Sequence, residues 1–391
     1  MMKSKKCLSK TLLYGGDILH RGELVRGKAL LFDERIVDLV DLSNRAALPP
    51  DIVQIPFEGI LSPGLIDIHI HGCAGSDTMD ATPEALETIA TALLRSGTTS
   101  FLATTMTMSA QAIDAALDNA RAFRANQQRA REQGLVRGAE LLGVHLEGPF
   151  INPKFKGAQA EEHIRPPDIA WTERHLDIIR MVTIAPEVEG AMEWIRALSD
   201  RCVISLGHSA ASYECACEAY RVGARHITHC FNAMTGLHHR NPGLVGAALT
   251  QNFSADFIVD GVHIHPDLIG PILRMKEAAK RVLITDAIRA TLLEDGVYDL
   301  GGQTVRVQEG VAKLDDGTIA GSVLSADQAI RNTVRFGGFS FPEVIAMMST
   351  NPARLLGIPS KGALEIGADA DLVVWSPDFQ VKQVYIRGVK Q

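Results

Sequence analysis

Residues 61–72 read LSPGLIDIHIHG, an apolar run that ends in two histidines one residue apart. Side chains alternate along a strand, so Asp67, His69 and His71 share one face while Ile66, Ile68 and Ile70 share the other. Two imidazoles and a carboxylate at a strand end suit a divalent metal, for which neutral nitrogen and carboxylate oxygen are common ligands. The alternative is a polar turn after a strand, and the rest of the chain decides between the two.

Beyond this run, apolar β-rich segments alternate with longer amphipathic ones. Eight segments read as strands: GLIDIHIH (64–71), TTSFLATT (98–105), LLGVHLEG (141–148), MVTIAPE (181–187), CVISLGH (202–208), HITHCF (226–231), SADFIVDG (254–261) and VLITDA (282–287). Helical periodicity lies between them, over 83–95, 110–131, 190–200, 213–222 and 265–280. The alternation predicts an α/β fold, a (β/α)8 TIM barrel of ~250 residues before insertions. A doubly wound open sheet competes, but no Gly-x-Gly-x-x-Gly turn follows the first strand. Residues 291–320 interrupt the pattern as a β-hairpin insertion; helix resumes over 325–335, and 341–349 and 353–356 close the barrel.

Residues 1–58 and the closing GALEIGADADLVVWSPDFQVKQVYIRGV both read as short strands and turns. Two strand-rich ends around a different middle predict a small β-sandwich domain built from both chain termini. The expected division is 1–60 with 359–391 for the sandwich and 61–358 for the barrel.

The 391 residues are 46% hydrophobic and 22% charged with a formal net charge of −7, enough apolar content for two cores and no basic stripe for nucleic acid. The N-terminal MMKSKKCLSKTLLYGGD is basic, but its apolar segment is too short for a signal-peptide core, and no run reaches transmembrane length. Cysteines 7, 73, 202, 215, 217 and 230 form no CxxC pair. Neither a disulfide frame nor a thiolate metal site is expected, and a reducing cytoplasm fits best.

Catalytic groups of a barrel sit at the C-terminal ends of its strands, and polar residues recur there. Strand one ends in His69 and His71, strand three in His145 and Glu147, strand five in His208, strand six in His229 and strand eight in Asp286. Glu147 is the better ligand of its pair, because a carboxylate holds one metal or bridges two, which leaves His145 as an oxyanion donor or an outer partner. Asp286 follows three apolar residues, where a carboxylate needs a metal, a water or an imidazole for company. Beside a metal-activated water it is placed to act as general base and then as acid to the leaving amine. Asp67 has no separate role. In HITHCFNAMTGLHHRNPGLVG (226–246), Asn232 and the backbone at Ala233 offer hydrogen bonds to a polar substrate. His238, His239 and Arg240 gather positive potential that suits a phosphate or carboxylate, or else form a solvated basic loop. His263 projects from the end of strand seven, and His265 starts the next helix before Pro266.

PGLIDIHIHG, GVHLEGPFINPKFKGA, TIAPE, SLGHSAA, THCFNAMTGLHHRNPGLVG, VDGVHIHP, ITDAIRAT, DGTIAGSVLSAD and GADADLVVW run across nearly the whole chain. As a set they resemble the amidohydrolase superfamily and, within it, the N-acetylglucosamine-6-phosphate deacetylase family. The resemblance implies a barrel with a small β-sandwich that removes the acetyl group from a phosphorylated amino sugar. It implies Glu147, His208 and His229 as ligands of the main metal, His69 and His71 as a pair able to hold a second, and Asp286 as the catalytic aspartate. Asn232, Ala233, Arg240 and His263 match phosphate and sugar contacts, the arginine often reaching into the neighbouring subunit of a homodimer, and Val323 and Leu324 fall in the segment that lines the pocket. One or two divalent ions per subunit are expected, zinc first, with iron or another transition metal also suited to these ligands.

One position departs from that pattern. After Lys156-Gly157-Ala158 the family usually places a histidine that touches the sugar, and this chain has Gln159. Glutamine donates and accepts hydrogen bonds but carries no proton charge, so a changed preference among acetylated hexosamine phosphates is one reading. The alternatives are another metal-dependent amidohydrolase, such as one that opens a cyclic amide, and a metal-free barrel that only binds a sugar phosphate.

Overall fold

The opening stretch divides at Gly64. Before it, Ile60–Pro63 pairs with Asp17–His20 and with Leu372–Trp375; after it, Leu65–Ile70 begins a separate parallel sheet. A Cβ at Gly64 would meet Thr99 Oγ1 at 2.1 Å, so the crossing from one sheet to the other needs glycine. These relations come from a computed structural model that describes residues 10–391; the expectations for residues 1–9, Cys7 among them, lie outside the described residues.

The parallel sheet contains β1 (Leu65–Ile70), β2 (Thr98–Thr104), β3 (Glu140–Glu147), β4 (Ile179–Ile184), β5 (Val203–Leu206), β6 (His226–Ile227), β7 (Ser254–Ile258) and β8 (Arg281–Ile284). They lie in sequence order, and a parallel bridge from Ile70 to Ala287 brings the end of β8 back to β1. The backbone N–H of Asp286 donates to His69 O at 2.9 Å, and that of His71 to Ala287 O at 2.9 Å. This near-closed ring is the expected (β/α)8 barrel rather than an open sheet. Helices pack outside it for the reasons their sequences give: Ala110–Glu132 is capped by Ser109 and buries Ile113, Ala116, Leu117 and Ala120 at helical spacing.

Three local expectations are corrected. β5, β6 and β8 stop earlier than their apolar runs, because the chain turns out of extended geometry before His208, His229 and Asp286. A helix, Gly243–Thr250, follows β6 where the sequence reading placed none. The insertion is a three-stranded antiparallel sheet, Gly296–Leu300, Gln303–Gln308 and Val311–Leu314, rather than a hairpin.

Strands from both ends of the described chain share the sheet that contains Ile60–Pro63: Asp17–His20 lies on one side of it and Leu372–Trp375 on the other, with Val381–Ile386 and Val389–Lys390 beyond. A second sheet contains Thr11–Tyr14, Lys28–Phe32, Ile36–Asp41 and Val53–Pro56. Leu13, Leu30 and Phe32 of that sheet meet Leu61, Leu372 and Tyr385 of the first in one apolar cluster. Among the described residues Cys73, Cys202, Cys215, Cys217 and Cys230 are free thiols, and no helix is long and apolar enough to cross a membrane.

The barrel and the C-terminal segment are joined by a buried ion cluster. Lys361 Nζ lies 2.5 Å from Asp371 Oδ2, 2.9 Å from Glu140 Oε2 and 3.3 Å from Asp369 Oδ2. Removing Lys361 leaves Asp371 without its ion-pair partner and Glu140 and Asp369 with only their arginines, so Lys361→Met is expected to destabilise the protein by about 3–5 kcal/mol in chemical denaturation. Burial alone would raise the Glu140 carboxyl, but Lys361, Arg131 and Arg387 outweigh it and hold the group at about 2 against an ordinary 4.5. Because the folded value lies below the unfolded one, this stabilisation is complete above roughly pH 4.5 and is lost as pH falls toward 2. Glu140→Gln is expected to flatten the stability profile across that window.

Candidate active site

His208, His229 and Asp286 each lie two residues past the end of β5, β6 or β8. Their φ angles are 48°, 31° and 50°, a left-handed backbone that costs a non-glycine residue about 1–3 kcal/mol. Hydrogen bonds hold each turn in place. The His229 N–H donates to Asp256 Oδ1, while Asp256 Oδ2 lies 2.9 Å from His226 Nε2, whose Nδ1 is 2.7 Å from Ser254 Oγ. Asp67 Oδ2 accepts from the Thr285 hydroxyl at 2.6 Å, and its Oδ1 accepts from His69 N at 3.2 Å. The Asn152 N–H donates to His208 O at 2.9 Å.

These turns bring four imidazoles and two carboxylates together. Glu147 Oε1 lies 3.1 Å from both His208 Nε2 and His229 Nε2 and 3.5 Å from His69 Nε2. Glu147 Oε2 lies 3.3 Å from His71 Nε2, and Asp286 Oδ1 lies 3.4 Å from His69 Nε2 and 3.3 Å from His71 Nε2. Two sets of ligand atoms result, Glu147–His208–His229 and His69–His71–Asp286, all from buried residues. Four ligands about 2.0–2.1 Å from a tetrahedral ion stand about 3.3–3.4 Å apart, close to the spacings here.

The protonation pattern also fits a cation. His208 Nδ1 lies 2.9 Å from Phe155 O, which can only accept, so in the neutral ring Nε2 keeps its lone pair. That lone pair faces Glu147 Oε1 and, at 3.1 Å, His229 Nε2. Among the described residues the buried Nδ1 atoms of His69, His71 and His229 have no hydrogen-bond partner, and neither has His69 Nε2. A divalent ion resolves this gathering of electron-rich atoms, which burial would otherwise penalise. Burial pushes both carboxyls up, but the histidines outweigh it: His69 and His208 hold Glu147 well below the carboxylate range, and His69 and His71 hold Asp286 below it. Burial, then His69, pushes His145 well below the ordinary histidine value and keeps its ring neutral. His145 Nε2 lies 2.7 Å from Thr183 Oγ1, which continues to Thr228 Oγ1 at 2.7 Å.

Above these groups is a cavity of about 240 Å³. Of the residues singled out in the sequence, His71, Glu147, His208, His229 and Asp286 line it together with Ala158, Gln159, Asn232, Ala233 and His263. His69 and His145 are fully buried beside them. His239 and Arg240 stand on an exposed loop outside the lining, and no lysine or arginine of the described residues borders this cavity. Val323 and Leu324 are also outside it; Leu324 belongs to a buried apolar cluster that includes Ile66 and Ile68. Sequence reasoning missed Asp67 and Asp256 as braces, and it missed Leu300, Thr318 and Ile319, which the insertion contributes to the cavity wall. Asp256 carried a signal, a carboxylate inside the apolar run SADFIVDG.

The profile of the Amidohydrolase family matches residues 60–390. The chain belongs to the amidohydrolase family. Among the curated relatives of this amidohydrolase, the N-acetylglucosamine-6-phosphate deacetylase of Bacillus subtilis (strain 168) is 44% identical over 86% of this chain and 85% of the relative. The N-acetylgalactosamine-6-phosphate deacetylase of Escherichia coli O157:H7 is 40% identical over 93% of this chain and 98% of the relative. The crystal structure of N-acetylglucosamine-6-phosphate deacetylase from Pasteurella multocida superimposes with a TM-score of 0.91 at 28% identity, covering 98% of this chain and 99% of that one.

Proposed function

We propose that this amidohydrolase hydrolyses the acetamide of N-acetyl-D-glucosamine 6-phosphate to D-glucosamine 6-phosphate and acetate, in amino-sugar catabolism. The observation that carries the reading is the meeting of Glu147, His208 and His229 with Asp286 at the floor of one cavity. Glu147, His208 and His229 would hold the principal divalent ion, and His69 and His71 a second; zinc is the first choice and iron the next. When bound, such an ion supplies Lewis acidity that polarises the acetamide carbonyl and makes the attacking water more acidic. Asp286 takes the proton from that water as its oxygen bonds to the acetyl carbon. His145 is a candidate donor toward the oxyanion. The carbon–nitrogen bond then breaks, and Asp286 returns the proton to the departing amine.

Asn232, the Ala233 backbone and His263 would hold the sugar and its phosphate, with Ala158 shaping the pocket. His239 and Arg240 lie too far out on their own chain's loop to line the cavity, so we assign them to the phosphate of a second copy in a cytoplasmic homodimer. Arg240→Ala is then expected to raise KM for the phosphorylated sugar by about 10–100-fold with little change in kcat, the worth of a charge-assisted contact. The division into a terminal sandwich, 1–60 with 359–391, and a barrel, 61–358, belongs to the same proposal.

A second reading is that the preferred sugar is the galactosamine epimer. It is favoured by the E. coli relative, which aligns over 98% of its length. Measuring kcat/KM for acetate release from both 6-phosphates and from unphosphorylated N-acetylglucosamine decides between them. Equal rates with and without phosphate would count against both. Metal analysis of His69→Ala/His71→Ala is expected to show one ion per chain fewer than the parent, and unchanged content would make that pair structural.

A further inference from the structure

Gln159 is 3% exposed in the wall of the cavity, and both ends of its amide are engaged. The backbone N–H of Thr107 donates to Gln159 Oε1 at 2.6 Å. A backbone N–H only donates, so this contact identifies the oxygen end and turns Nε2 toward the site. Nε2 donates to Glu147 Oε2 at 2.8 Å, and its remaining close neighbour is Met106 Sδ at 3.7 Å. The donors of Gln159 are therefore directed at the site's own carboxylate and a thioether rather than into the open cavity.

The consequence falls on Glu147. Its side chain leaves the last residue of β3 on rotatable bonds, and its other close polar neighbours are the four histidines. Gln159 is the neutral partner with a fixed backbone anchor behind it. With Oε2 tied to Gln159, Oε1 stands 3.1 Å from both His208 Nε2 and His229 Nε2.

We propose that Gln159 is a positioning residue for metal binding: braced by the Thr107 N–H, its amide locks the Glu147 carboxylate with Oε1 turned to His208 and His229, and so sets the affinity of that group for a divalent ion. The inference rests on the reading that this group holds a metal. Outer partners of metal ligands are typically worth about 10–100-fold in affinity.

The test is a titration of metal-free protein with Zn²⁺ against a competing chromophoric chelator, for the parent, Gln159→Met and Gln159→Ala. Circular dichroism of each metal-free form reports the fold, and the visible spectrum of the Co²⁺ form reports the ligand geometry. Both variants are expected to keep the parent fold, to bind the tighter Zn²⁺ about 10–100-fold more weakly, and to give an altered Co²⁺ spectrum. If Gln159→Ala fails to fold, Gln159→Met, which keeps the side-chain length, decides. A folded variant that binds Zn²⁺ as tightly as the parent overturns the role of Gln159 alone. A parent that takes up no Zn²⁺ overturns the metal reading of the site, and this inference with it.

Discussion

Asp286→Asn is expected to keep its fold and the ion of the Glu147–His208–His229 group while turnover falls by about 10²–10⁴-fold. Asparagine matches aspartate in size and leaves the 2.9 Å bond from the residue's backbone N–H to His69 O undisturbed, so the turn past β8 survives. What disappears is the only side chain in the proposed mechanism that takes and returns a proton. Burial raises the Asp286 carboxyl, but His69 and then His71 outweigh it and hold it below the ordinary carboxylate value, so it stays ionised from weakly acid to neutral pH. In the parent, loss of rate from protonating this group therefore belongs at strongly acid pH. Turnover near that of the parent in Asp286→Asn would remove the residue from the chemistry.

The second large effect is expected at Glu147. Glu147→Ala removes the carboxylate whose Oε1 lies 3.1 Å from two imidazoles, leaving His208, His229 and His69 facing one another without a negative charge between them. Metal affinity should fall by more than the ~10–100-fold typical of an outer partner, and acetate release should fall with it. Metal analysis after gel filtration and a rate measured with excess Zn²⁺ separate the two effects. A variant that is fully active at excess metal would mean that Glu147 serves affinity only. One that keeps the parent's metal content would place the ion elsewhere.

Much of this could be read from residue types at strand ends. An apolar run that stops at a histidine, an aspartate or a glutamate marks a place where the chain presents chemistry, and six such residues from five strand ends meet in the folded barrel. The fold class followed from the same alternation. Register was harder. His208, His229 and Asp286 reach the site through left-handed turns, so the strands end two residues earlier than their apolar runs suggest. The work of Asp67 depends on Thr285, 218 residues away in sequence, and no local pattern announces that pairing. Asp256 is a similar case, since its partners His226 and His229 come from the preceding strand and the turn after it. The insertion was legible as β-structure, but its contribution of Leu300, Thr318 and Ile319 to the cavity depends on how it folds back over the barrel. Gln159 stood out as a departure from a family pattern, and only the folded chain connects it to Glu147 and Thr107.

The central claim is that the two groups of ligands at the cavity floor make this amidohydrolase a metal-dependent deacetylase of a phosphorylated amino sugar. It is tested most directly by incubating metal-free and Zn²⁺-reconstituted protein with N-acetylglucosamine 6-phosphate and measuring acetate and free amine together. The account predicts no release by the metal-free protein and release of both products in equal amounts after reconstitution. Equal release with and without metal, or binding of the sugar phosphate with no acetate formed, would contradict it.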